Sequence, residues 1–357
     1  MVNKEFWNGK KVLITGHTGF KGTWLTLWLA SLGAEVIGYS LDPPSSPNLY
    51  EITETSRECL SYYGDINNYS QLQETMTTYQ PQIIFHMAAQ PLVRTSYQYP
   101  IETFHTNVIG TVHVLEAVRK TASARVVINI TSDKCYQNND KDPRSFCEND
   151  RLGGHDPYSA SKACAELVTE SYRKSFFNLK CHSDIRLASA RAGNVIGGGD
   201  WAEGRLFTDM MKAFLYGKEL NIRNPNAVRP WQHVLEPLNG YLLLAEKLWN
   251  DSQYSDGWNF GPIAEKDISV DEVVNITMKL WDKQIEINYD NNDHPHESPF
   301  LKLNSSNAFQ RLGWKPKLST KESIDWAVQW YKNYEVGENM NKFTLKQIND
   351  FQKLKRI

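Results

Sequence analysis

One short segment decides most of what this chain can fold into. Residues 11–22, KVLITGHTGFKG, set an apolar run directly before Gly16, Gly19 and Gly22. The run reads as a buried strand, and a helical stretch from Gly22 to Leu32 follows it. Glycines at that spacing permit a tight strand-to-helix turn and let a pyrophosphate approach unpaired N–H groups at the helix N-terminus. The alternation continues down the chain. "AEVIGYS", "QIIFHMAA" and "ARVVINITS" are further strand-like runs, and "VIGTVHVLEAVRK" and "YSASKACAELVTESYRKSF" are helical ones. Such alternation predicts an α/β fold, a Rossmann-type doubly wound parallel sheet with helices on both faces.

Beyond Gly193 the pattern changes. "GGGDW" is a glycine loop, "LFTDMMKAFLYG" and "VLEPLNGYLLLAEKLW" read as helices, and "SVDE" and "STKE" read as capping boxes that open two more. We therefore expect a dinucleotide-binding domain over residues 1–193 and a smaller mixed α/β lobe, mainly substrate-binding, over 194–334. The boundary is expected to be interleaved by a strand returning to the sheet. Residues 335–357 are polar and are expected to form a flexible tail or an interface arm.

Composition excludes several classes of function. Of 357 residues, 41% are hydrophobic and 22% charged, and the formal charge is -2, so nothing draws the chain to nucleic acid or a membrane surface. No apolar run approaches the ~20 residues needed to span a bilayer, and no signal-peptide core precedes the first strand. The five cysteines are scattered without a CxxC pair. That speaks against a disulfide framework or a zinc site and for a cytoplasmic setting. His294 and His296 in "HPHE" lack a further ligand cluster, so no metal is expected.

Two further patterns carry chemistry. "IGYSLDPP" ends the second strand without an acid at its tip and without a nearby arginine for a 2′-phosphate, which favours NAD over NADP. Asp65 in "GDI" is either near the adenine or a solvated turn residue. "YSASK" sets Tyr158 and Lys162 at i and i+4 on one helix face. An ammonium there is expected to lower the phenol pKa, so that Tyr158 accepts a proton from a substrate alcohol. Ser132, at a strand end, completes a hydroxyl-binding set.

Together, Gly16-x-x-Gly19-x-x-Gly22, "HMAAQ", Asn107, Ser132, Tyr158-x-x-x-Lys162 and "RAGNVIGGGDW" resemble the extended short-chain dehydrogenase/reductases, and within them the nucleotide-sugar 4,6-dehydratases. The likeness runs from the first strand to about "LGW" at 312–314. "GHTGFKG", "TSDKCY" and "VRPWQHVLEPLNGYL" resemble the branch acting on CDP-glucose, whereas relatives acting on dTDP-glucose usually carry Asp-Glu where this chain has Asp133-Lys134. The resemblance implies oxidation at C4, loss of water across C5 and C6, and return of hydride to C6, with NAD retained. It implies a cofactor site built from Gly16, Gly19, Phe20, Gly22, Asp65, Ile66, Ala88, Ala89, Gln90, Asn107, Tyr158 and Lys162. It also implies a homodimer or homotetramer built on the helix near Pro100 and the Tyr158 helix, and a deoxysugar product bound for a surface polysaccharide such as O-antigen.

Within that scheme Asp133 fits the acid that protonates the leaving C6 hydroxyl. Lys134 has two open assignments: the base for C5–H, if it is deprotonated, or a cation that stabilises the C5 enolate. A plain salt bridge at a strand end is the bland alternative, and the two groups are expected to titrate as a unit. For the nucleotide sugar we expect Ser96, Asn194, Arg205, Arg229 and His294, the arginines because guanidinium suits phosphate oxygens. A 4-epimerase or reductase on the same scaffold has no use for Asp133-Lys134, and a silent NAD-binding regulator has no use for Tyr158-Lys162.

Overall fold

The apolar runs enter the centre of the protein as parallel strands. In the computed structural model, which describes residues 1–121, 123–138, 144–178, 184–262, 268–290 and 300–355, these are β1 (Lys11–Thr15), β2 (Glu35–Ser40), β3 (Leu60–Tyr63), β4 (Ile83–His86), β5 (Val126–Ile130) and β6 (Arg186–Arg191). All pair in parallel, and β10 (Gly257–Asn259) adds a seventh strand, giving the order β10-β6-β5-β4-β1-β2-β3. Successive side chains alternate between faces. Val12, Ile14, Phe85 and Ile128 join one core cluster, while Leu13, Ile84 and Val127 join the other. The second cluster is covered by α2 (Tyr69–Tyr79) and α4 (Gly110–Thr121); the first lies under α1 (Phe20–Ser31) and α7 (Leu235–Asn250). α3 (Pro100–Phe104) precedes α4, and α5 (Pro157–Ser175) packs beside them.

The order reverses direction between β1 and β4, the crevice where open α/β sheets bind ligands. Above that edge lies the second lobe, with α6 (Leu206–Tyr216), α8 (Val270–Trp281), α9 (Thr320–Glu335) and two small parallel pairs, β7 (Val195–Ile196) with β9 (Gln232–His233) and β8 (Leu220–Ile222) with β11 (Ile287–Tyr289). Ser269 with Glu272 and Ser319 with Glu322 form reciprocal capping boxes that start α8 and α9. The lobe is not separable at residue 193, because β10 and α7 return to the central sheet.

The C-terminal segment departs from expectation. It is neither tail nor arm: α10 (Met340–Lys353) buries Met340, Thr344, Ile348 and Phe351 along one stripe. Phe351 meets Trp28 of α1 edge-on at 5.8 Å, and Trp330 Nε1 donates to Thr344 Oγ1 at 2.9 Å. α1 is apolar all round, so it needs a cover on its outer side, and α10 supplies it. No described helix is long and apolar enough to cross a membrane.

Candidate active site

The glycine loop is shaped by close backbone approach. Gly16 has φ +78°, and a Cβ on it would stand 2.8 Å from Ala88 N. A Cβ on Gly22 would stand 2.1 Å from Gly16 O. Gly19 is the N-cap of α1 and offers no side chain of its own to the first-turn N–H groups. Thr15 Oγ1 accepts from Met87 N and Ala88 N at 3.1 and 3.2 Å, which ties the segment after β4 to the loop. His86 is held between Thr15 and Thr111 at 2.8 and 3.1 Å.

Asn107 sits in a widened turn, His105–Ile109. Its Oδ1 accepts from Gln90 N at 2.9 Å and its Nδ2 donates to Gln90 O and Ser161 Oγ at 3.1 and 2.8 Å. Ala88, Ala89 and Gln90 thus run along the crevice edge, fixed in place by Thr15 and Asn107. Phe20 lies against Gly197. At the tip of β2, Ser40 and Thr18 share a hydrogen bond of 2.8 Å while Asp42 is exposed. Asp65 Oδ1 accepts from Asn67 N at 2.9 Å, a turn-shaping bond, and Ile66 is buried against Gly110. A loop whose backbone packs too closely for a Cβ at Gly16 or Gly22, opening on a helix N-terminus, fits a dinucleotide.

Tyr158 and Lys162 occupy the first turns of α5. Asp156 caps that helix by accepting from Ser159 N at 2.9 Å, and Pro157 fills its first position. Ser96 differs from expectation. It is fully buried, its Oγ accepts from Tyr158 N at 3.1 Å and donates to Val93 O at 2.6 Å, so its hydroxyl is committed to seating the helix and not to a sugar. Ser132 caps the turn Asp133–Cys135, accepting from Lys134 N at 3.2 Å and donating to Asp133 Oδ1 at 3.0 Å.

The electrostatics correct one expectation. Burial pushes the Tyr158 phenol up to about 12, and the main offsets are the Ser132 hydrogen bond and the Arg205 charge. Lys162 is itself pulled down to about 8, first by burial and then by the charge of Lys21, and its Nζ lies 3.5 Å from Ile130 O. Asp133 is 2% exposed. Burial raises its carboxyl, against the opposing charge of Lys134, the Ser132 hydrogen bond and the charges of Lys21 and Arg229. Its Oδ2 has no hydrogen-bond partner among the described residues and faces Gly193, where a Cβ would come within 1.6 Å. Lys134 is half-buried beside it.

A network that no local pattern announces holds this segment. Glu166, one turn beyond Lys162, accepts from Thr131, from Ser189 at 2.6 Å and from Arg191 at 2.7 Å. Burial alone would raise Glu166, yet the Arg191 charge and these bonds carry it below its ordinary range. Arg191 also donates to Tyr136 Oη at 2.6 Å, and Tyr136 donates to Asn259 Oδ1 at 2.7 Å. Residues 131–136 are thereby clamped to α5, β6 and β10.

The second lobe closes the site from above. Arg205 pairs with Asp200 at 2.7 Å and its charge reaches Tyr158. Asn194 is left-handed at φ +43°, and its carbonyl accepts from Gln232 N at 3.3 Å. Arg229 lines a cavity of about 520 Å³ with Trp231, Lys302, Asn304 and Phe309, while its charge still acts on Asp133. His294 lies outside the described residues. Sequence reasoning assigned no role to Lys21, Asp200 or the Glu166–Arg191 pair, although Lys21 lies in the glycine loop and Arg191 and Asp200 lie in "RAGNVIGGGDW".

This geometry can be set beside known proteins. A CDP-glucose 4,6-dehydratase of Salmonella typhimurium is 47% identical over 98% of this chain and 98% of its own length. Among solved structures, the epimerase Mth375 of Methanothermobacter thermautotrophicus superposes with a TM-score of 0.81 at 22% identity, covering 95% of this chain and 96% of its own. A dTDP-glucose 4,6-dehydratase of Bacillus anthracis, in complex with NAD, gives 0.75 at 23% identity over 93% and 100%. These two establish the fold. The sequence profile of the GDP-mannose 4,6 dehydratase family matches residues 13–326, from β1 through the start of α9. With the glycine cradle, the Tyr158–Lys162 helix and the strand-end Ser132 inside that span, the chain belongs to the GDP-mannose 4,6 dehydratase family, among the nucleotide-sugar dehydratases of the extended short-chain dehydrogenase/reductases.

Proposed function

We propose that the protein converts CDP-glucose to CDP-4-keto-6-deoxyglucose and water as an NAD-dependent hydro-lyase. The observation that carries this reading is the acid–amine pair Asp133-Lys134, with Asp133 buried next to Ser132 and near Tyr158. An epimerase or reductase needs Tyr158 and Lys162 but no such pair. The 47% identity to the Salmonella CDP-glucose dehydratase supports the choice of nucleotide.

NAD, when bound in the glycine cradle, supplies an acceptor for two electrons from C4 and later returns them to C6. The residues do the rest. Tyr158, as the phenolate that the Arg205 charge favours against burial, takes the 4-hydroxyl proton, Ser132 donates to the developing C4 oxygen, and Lys162 stands one turn below. The C4 ketone acidifies C5–H. Asp133 and Lys134 then act as one unit. Burial raises the Asp133 carboxyl, which suits it to hold a proton for the leaving group. Lys134 takes the proton from C5 as Asp133 gives its own to the C6 hydroxyl, which leaves as water. Arg205, Asn194 and Arg229 form the side that receives the diphosphate, with the cavity beside Arg229 taking the nucleoside.

The protein is further proposed to work in the cytoplasm as a homodimer or homotetramer. Ile101, Phe104 and Ile109 expose apolar surface beside Cys164 of α5, the face expected to pair. Incubation with CDP-glucose should give the alkaline absorbance of a 4-keto sugar, with far slower turnover of dTDP-glucose. No keto sugar from CDP-glucose overturns the reading.

A further inference from the structure

β5 and β6 run parallel and in step, with Ile130 paired to Ala190. Thr131 N then donates to Ala190 O at 2.9 Å, and three residues beyond the pair Asp133 meets Gly193. A Cβ on Gly193 would overlap Asp133 Oδ2 and Cγ and stand 2.6 Å from Oδ1, so its three nearest atoms all belong to that one carboxyl group. Gly193 is not left-handed, and its backbone conformation does not call for glycine. The carboxyl group does. Both sides of this contact are fixed. Gln232 is buried, and its Nε2 donates to Gly193 O at 3.3 Å and to Phe260 O at 2.9 Å, while Phe260 N donates to Arg191 O at 2.8 Å. Opposite, Ser132 Oγ donates to Asp133 Oδ1 at 3.0 Å. Oδ2 rests against Gly193 with no hydrogen-bond partner among the described residues, a setting that penalises the ionised carboxylate.

We propose that Gly193 is a positioning residue of the elimination step: the room left by its missing side chain holds the Asp133 carboxyl group where it protonates the C6 hydroxyl. The inference rests on the acid role proposed for Asp133. In that step the Asp133 O–H bond breaks and a new O–H forms on the leaving oxygen. The C6–O bond breaks with its electron pair going to the departing water, and the C5–H electrons become the C5–C6 double bond while Lys134 takes that proton. A displaced carboxyl group impairs only the proton delivered to oxygen. Oxidation at C4 uses Tyr158 and Ser132 and does not draw on it. Nor does a leaving group that departs as a stable anion, so fluoride at C6 separates a misplaced acid from general damage to the site.

The test compares single turnovers of CDP-glucose and CDP-6-deoxy-6-fluoroglucose by full-length, NAD-loaded Gly193→Ala. With CDP-glucose, reduced nicotinamide should form as in wild type and then decay ~10²-fold more slowly. With the fluoro sugar, the C6–F bond breaks with its electron pair and no proton is needed, so decay should match wild type. Loss of water at the wild-type rate overturns the proposal, and so does an equal defect with both sugars. Thermal unfolding gives a second arm that needs no active variant. If the carboxyl group is what the new Cβ meets, Gly193→Ala should lower Tm by a few degrees in the wild-type background and leave it unchanged in the Asp133→Ala background. Equal lowering in both backgrounds overturns the proposal. Asp133→Asn in parallel separates the two levels. If it eliminates water at the wild-type rate, the acid reading fails and takes the inference with it. If it stalls on CDP-glucose yet releases fluoride, while Gly193→Ala behaves as wild type, only the Gly193 inference fails.

Discussion

At Asp133 burial and charge oppose each other, and burial prevails. Removing either half of the Asp133-Lys134 pair should therefore uncouple the two halves of the reaction. Asp133→Asn and Lys134→Arg should each retain C4 oxidation and lose elimination by ~10²–10⁴-fold, seen as reduced nicotinamide that persists after substrate is added. Arginine is the sharper probe, because it preserves the charge but cannot act as a base; a Lys134→Arg enzyme that dehydrates normally would return Lys134 to the enolate-stabilising role. Gly22 carries a second prediction at this scale. With Gly16 O only 2.1 Å from the site of a new Cβ, Gly22→Ala should be purified without dinucleotide, measured by absorbance after denaturation. The residues legible in the sequence were those whose chemistry sits in one contiguous stretch: the glycines, Ser132 to Lys134, and Tyr158 with Lys162. Ser96 misled because proximity to the site in sequence does not say which way a hydroxyl is spent. The Glu166–Arg191 pairing was not legible because the network comes from three separate segments, residues 131–136, α5 and β6.

Among the elements, strand periodicity and capping boxes were read correctly because each is a local rule. The fate of residues 335–357 was not, although Met340, Thr344, Ile348 and Phe351 repeat at helical spacing. The polar remainder of that stretch masked a narrow apolar stripe, and its need arises elsewhere, on the outer side of α1. A comparable long-range clasp joins α7 to the turn before α9. Glu236 is fully buried, and its Oε1 accepts from Lys317 N and Leu318 N at 2.8 and 2.7 Å. Burial raises its pKa to about 8, above the ordinary ~4.3 of the unfolded chain. The native state therefore binds the extra proton between those values, so this contribution is fully present below the unfolded pKa and is lost as pH rises through about 8. Glu236→Gln should remove that dependence. Thermal unfolding of the two proteins from about pH 5 to about pH 9 should show Tm of wild type falling relative to the variant; parallel curves would mean that Glu236 is ionised in the native protein.

For the whole molecule, the sheet sets a geometric frame in which two lobes share one crevice. The switch point between β1 and β4 presents the glycine cradle, while β5 and α5 deliver the acid, amine and phenol from the side, and the second lobe brings Arg205 and Arg229 over them. The interleaving of β10 and α7 makes that frame a single body of packing and not two hinged domains. The proposed association rests on the exposed apolar strip on α3 and α5, so Ile101→Asp, at a site 74% exposed, should yield monomers in sedimentation without loss of helix content. An unchanged sedimentation coefficient would move the interface elsewhere. The central claim, however, is that electrons leave C4 and come back to the same sugar at C6, with Asp133 and Lys134 breaking the C–O bond in between. CDP-glucose carrying deuterium at C4, turned over in ordinary water and read by NMR, tests it directly. The account predicts product with deuterium at C6 and solvent hydrogen at C5; deuterium still at C4 of an inverted sugar, or lost to solvent, would contradict it.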